Sequence, residues 1–152
     1  MVHKPKHKVH SFRGLLADGG EDEIRLERQN ANVAYRIVKL QIIGAEPGEG
    51  AMEHTVKIYK DEQSSIDNAV NFTDPSLLAV AYIQDNTSSG DPSSVDIIFD
   101  NVLFSRNIFV TQVDTGGSLP CNYYIEIEEV PVSASALMQL KLGVARRLNL
   151  EQ

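Results

Sequence analysis

The sequence predicts an all-β protein: an antiparallel β-sandwich, jelly-roll-like and of about eight strands, with an extended N-terminal arm and a C-terminal amphipathic helix. Three observations carry this. Runs rich in β-branched and aromatic residues recur along the chain, parted by Gly, Pro, Asn and Asp, with no strand–helix–strand alternation. Within the runs the side chains alternate: Tyr123, Ile125 and Ile127 fall on one side of a strand, Tyr124, Glu126 and Glu128 on the other. A helical period occurs only after the last run.

Residues 1–8 form a basic arm, where Pro5 removes a backbone donor and biases its predecessor away from helix. Residues 9–132 form the sandwich domain and 133–152 the helix segment. The first strand spans 9–16 and closes on Asp18-Gly19-Gly20, read as a hairpin turn. Residues 23–28 alternate Ile24 and Leu26 with charges. Residues 35–43 place Val38, Leu40 and Ile42 against Lys39 and Gln41. Residues 44–50 hold too much Gly and Pro to be anything but a loop. In 54–59, His54 falls on the apolar side, where a hydrogen-bonded core histidine is expected rather than a ligand. Residues 61–74 are polar, with room for one short helical turn, and 77–83 read as a central strand covered on both faces. Residues 85–94 make an exposed loop. Three runs over 95–130, joined by short polar turns, read as a β-meander. Ser133 can cap a helix over 134–148, where Leu137, Leu140, Val144 and Leu148 make one apolar stripe.

The chain of 152 residues suits one domain. With no Trp, five Phe and five Tyr, its core must come mainly from Val, Ile and Leu. No apolar run is long enough for a membrane helix, and the N-terminus has no apolar segment of a secretion signal. The single Cys121 cannot form an internal disulfide and reads as a small buried side chain. The net charge of −7 is uneven. Residues 1–17 and 133–150 carry only cations, whereas 18–132 hold 20 acidic and 7 basic side chains. An acidic body with basic ends lets the ends of one copy rest on the body of another.

Chemical motifs are sparse. Asp114-Thr115-Gly116 after a strand has the form found in aspartic proteases, but a single copy would need a homodimer, and Asp-Thr-Gly-Gly is good turn chemistry. There is no nucleophile elbow, Walker loop or dinucleotide fingerprint. His3, His7 and His10 lie in or beside the Pro-interrupted arm, without a scaffold for a metal. Asp85, Asp91, Asp96 and Asp100 lack the spacing of a calcium loop. No cofactor or metal is expected, and the sequence points away from enzymes.

Residues 37–43, the stretch Phe-Thr-Asp-Pro-Ser-Leu-Leu-Ala-Val-Ala-Tyr-Ile over 72–83, and 107–130 resemble small virion-associated structural proteins of tailed bacteriophages. The resemblance implies a non-enzymatic part of a virus particle, a capsid decoration or cement protein or a tail-associated component. It would assemble through Lys4, Lys6, Lys8, Arg13, Leu137, Leu140, Val144 and Leu148. Its partners would be copies of itself and other virion proteins, such as a major capsid protein. It would be made in the host cytoplasm and reside in the virion, without membrane or nucleic-acid contacts. The alternative is a β-sandwich module for carbohydrate or a host surface, using the 85–94 loop and Tyr59, Tyr123 or Tyr124 as platforms.

Overall fold

The computed structural model describes residues 8–26, 32–49, 51–85, 93–136 and 138–140. These are mostly β. The strands are β1 (Val9–Leu16), β2 (Glu21–Ile24), β3 (Val33–Gly44), β4 (Met52–Tyr59), β5 (Leu77–Asp85), β6 (Ser93–Ile98), β7 (Ile108–Asp114) and β8 (Cys121–Pro131). They form two antiparallel sheets, one in the order β1-β8-β3 and one in the order β2-β7-β4-β5-β6.

The expected meander is corrected by this order. β6 lies at the edge of the five-stranded sheet, β7 between β2 and β4, and β8 at the centre of the other sheet. Alternation and turn residues mark where strands begin and end, whereas partner choice depends on long-range contacts. The Asp18-Gly19-Gly20 turn is real, with Gly19 at φ 77° and the Gly20 N–H donating to the Ala17 carbonyl at 2.9 Å. It carries the chain between sheets, however, and does not close a hairpin. Residues 61–74 hold turns and no helix.

One core cluster joins the inner faces of both sheets: Ile37 and Leu40 of β3, Val56 and Ile58 of β4, Ile108 and Val110 of β7, and Cys121, Ile125 and Ile127 of β8. The alternation in β8 holds, with Tyr123, Ile125 and Ile127 buried and Tyr124, Glu126 and Glu128 partly exposed. In β3 the expected face needs one correction. A bulge between Ile37 and Lys39 flips the phase, so Tyr35 and Ile37 point inward before it and Leu40 after it. Val38 absorbs the extra residue and is only half-buried. The central strand β5 is buried from Leu77 to Ala81, as expected.

Residues 134–136 and 138–140 are helical. Met138 is 63 % exposed and Leu140 half-buried, so this described turn shows no clear apolar face. Leu137, Val144 and Leu148, the rest of the expected stripe, lie outside the described residues, as does the arm through residue 7.

Candidate functional site

The two sheets leave a gap between β3 and β6. Near the start of β3 the free edge is covered, because Tyr35 exchanges both backbone hydrogen bonds with Phe104, at 2.8 and 2.9 Å, and the two rings stack with centroids 6.0 Å apart. Farther along nothing among the described residues pairs with it. Register fixes which groups are open. Lys39, Gln41 and Ile43 oppose Glu126, Tyr124 and Asn122 and bond to β8, so Leu40 and Ile42 turn their N–H and C=O toward the gap. The Phe99 N–H donates to the Leu78 carbonyl at 3.0 Å, which sets β6 so that Ser94 and Asp96 turn their backbone groups away from β5.

Between these edges runs an open groove of about 880 Å³, lined by Leu40, Ile42, Ser94, Asp96, Tyr82 and Tyr123, with Arg13, Gln41, Asn122 and Tyr124 toward the outer face of the three-stranded sheet. Its volume falls within the range of small-molecule clefts, and it mixes aliphatic, aromatic and polar groups. Two of the three tyrosines donate to a carboxylate. The Tyr123 hydroxyl donates to Asp22 Oδ2 at 2.8 Å, and the Tyr124 hydroxyl to Glu126 Oε1 at 2.9 Å. Burial, the hydrogen bond to Asp22 and its charge hold the Tyr123 phenol well above its usual value. The bond to Glu126 raises Tyr124, and burial followed by the charge of Glu53 raises Tyr82. Tyr123 and Tyr124 are thus held as hydrogen-bond donors to carboxylates beside the groove, whose lining carries one cation, Arg13, and one anion, Asp96.

A second cluster lies deep between the sheets. His54 is fully buried, with Nδ1 3.0 Å from Gln112 Oε1. The Gln112 amide nitrogen donates to the carbonyls of Leu16 and Leu119, at 3.1 and 3.4 Å. The amide oxygen is thus the acceptor for His54, whose Nδ1 carries the hydrogen. Its Nε2 points toward Gly44 without a hydrogen-bond partner. This is the hydrogen-bonded core histidine expected from its place on the apolar side.

Asp114 is buried, and its carboxylate is engaged by its own loop and the facing strand. Oδ1 accepts from the N–H groups of Glu53 at 3.0 Å and Gly116 at 3.2 Å, and Oδ2 from that of Leu119 at 2.9 Å. This supports reading Asp-Thr-Gly as turn chemistry, here between sheets. Cys121 is fully buried, and burial, reinforced by the charge of Asp114, pushes its thiol up to about 12. No group of three or more His, Cys, Asp or Glu among the described residues could hold a metal ion.

Of the expected assembly residues, Arg13 and Lys8 are exposed, and Arg13 lines the groove opposite Tyr124. Leu140 is half-buried, and Lys4, Lys6, Leu137, Val144 and Leu148 lie outside the described residues. Tyr59 and Tyr123 are buried, which removes them as exposed platforms; Tyr124 remains partly exposed. The groove itself was not foreseen, because it depends on which strands fail to pair. No protein-family model matches the chain, and no curated protein matches it.

Proposed function

We propose that the chain is a jelly-roll sandwich serving as a non-enzymatic structural protein of a virus particle, a capsid decoration or cement protein or a tail component. The observation that carries the reading is the nested strand order. β1 pairs with β8, β2 with β7, and β4 with β5, the pattern made by rolling up one long hairpin. The remaining pair, β3 with β6, is open because β6 stays on β5. Jelly rolls are a usual architecture of capsid proteins. The acidic body and basic ends add a means of assembly, since copies attract end to body.

Partners in this reading are further copies and other virion proteins, through the basic arm, Arg13 and the C-terminal stripe. The test is incorporation into particles. Deleting residues 1–7 keeps all of β1, whereas a deletion reaching residue 13 would remove most of the strand that pairs with β8. The 1–7 deletion, and replacement of Leu140 and Val144 by Asp, should each abolish incorporation while the isolated domain melts as before. Normal incorporation of both variants would refute the reading.

One observation favours a second reading, a carbohydrate- or host-surface-binding module. The groove is large enough for a small saccharide, and Tyr82 and Tyr124 are partly exposed at it. Lectins also use jelly rolls. A glycan array without binding would remove this reading.

A further inference from the structure

We infer that the outer face of β5 and β6 is the seat of the C-terminal helix of a second copy. The inference rests on the assembly reading above and names its contact. Ala79 and Ala81 of β5 belong to the core, so the alternate residues Val80 and Tyr82 lie on the outer face, and their partners across the ladder are Ile97 and Val95. Phe99, whose N–H still bonds to Leu78, continues the row, and the Phe72 ring packs edge-on against it with centroids 5.3 Å apart. This makes an apolar patch at a sheet edge, in which Phe72 is 54 %, Val95 51 % and Ile97 36 % exposed. Single exposed apolar side chains are ordinary, but a contiguous row of them marks a contact surface.

Charge selects what covers it. Residues 61–105, which build the whole patch, hold eight carboxylates and no Lys, Arg or His. Lys57, on the same face of β4, is buried and already bonded to Asp67 at 3.1 Å. Residues 133–150 are the reverse, with Lys141, Arg146 and Arg147 and no acid. On the helix that the sequence predicts there, Leu137, Leu140, Val144 and Leu148 make the apolar stripe, with Lys141 on one side of it and Arg147 on the other. At 1.5 Å per residue that stripe runs about 16 Å, against about 14 Å along β6 from Val95 to Phe99. An apolar stripe rimmed by cations thus matches an apolar row of similar length set among carboxylates.

The helix comes from a second copy. Among the described residues nothing covers the patch, and no described residue of the helix is buried: Met138 is 63 % exposed, and Leu140, a member of the stripe, is half-buried. Each copy carries both a stripe and a patch, so two copies satisfy each other reciprocally about a two-fold axis.

The test is complementation between two variants of the full chain, read by sedimentation equilibrium. Val95→Thr with Ile97→Thr keeps β-branched side chains on the strand and spoils the patch; Leu140→Asp with Val144→Asp spoils the stripe. Each pair should raise the dissociation constant about tenfold or more. An equimolar mixture should associate more tightly than either variant alone, because the intact helix of one meets the intact patch of the other. Val95 and Ile97 are exposed, so unchanged melting of each variant serves as the fold control. Variants that associate like wild type, or a mixture no tighter than its components, overturn the contact between copies while self-assembly stands. A wild-type chain that remains monomeric at all concentrations overturns the contact together with the self-assembly on which it rests.

Discussion

Gly14 sits inside β1 because the Tyr123 ring occupies the space a side chain would need. A Cβ there would lie 2.6 Å from the Tyr123 hydroxyl oxygen, 2.7 Å from Cζ and 2.9 Å from Cε1. The ring is buried and anchored by its bond to Asp22 at 2.8 Å, so it cannot yield freely. If Gly14→Ala forces the ring to stay, overpacking costs about 1–3 kcal/mol. If the ring swings away, the bond to a carboxylate is lost, again about 1.5–3 kcal/mol. Either route gives about 2 kcal/mol, which for a chain of this size lowers the melting temperature by roughly 5 °C. In a Tyr123→Ala background, itself costing about 3–5 kcal/mol, the clash is gone. The same Gly14→Ala change should then be neutral or slightly stabilising, since Gly in a strand costs about 0.5–1 kcal/mol. Urea unfolding of the four proteins in the cycle measures the coupling, expected at about 2 kcal/mol or more. Additive effects would refute the packing argument.

Asp114→Asn should destabilise the fold by about 2 kcal/mol, because an amide nitrogen in place of Oδ2 would face the Leu119 N–H as a second donor; chemical denaturation measures this, and a silent substitution would contradict it. Asp67 is held below its ordinary value chiefly by its hydrogen bond from the buried Lys57, at 3.1 Å. A depressed folded value adds stability above the unfolded one and loses it as pH falls through the folded one. Asp67→Asn should therefore cost under about 1 kcal/mol at pH 7, the aspartate being 58 % exposed, and the gap from wild type should close as pH falls below the ordinary aspartate range, about 4, as urea midpoints would show. The Cys121 thiol, raised to about 12 by burial and by Asp114, should not react with a disulfide reagent at pH 8 in the folded chain and should react fully in denaturant.

Much of the β architecture was legible because local pattern encodes it. The run 9–16 coincides with β1, and the alternation over 123–128 matches the burial in β8. His54 was readable as a core residue from its place on the apolar side of its strand, and Cys121 from being a lone cysteine without a partner. What escaped was non-local. Nothing in 95–130 says that β6, β7 and β8 take different partners, because their pairing is decided by contacts with strands far earlier in the chain. The bulge at Val38 escaped for a related reason: Tyr35-Arg-Ile-Val-Lys-Leu is apolar on both phases, and only packing against β8 selects the switch. The groove follows from the open β3–β6 edge, and its lining is drawn from five strands. No single stretch could reveal it.

Assembly through the ends of the chain is the proposed role. Light scattering of the full-length protein beside a truncation to residues 8–132, which preserves β1 through β8, tests it most directly. An oligomer that becomes monomeric on truncation is the predicted result. An unchanged number of subunits on truncation, whether one or several, would contradict self-assembly through the ends.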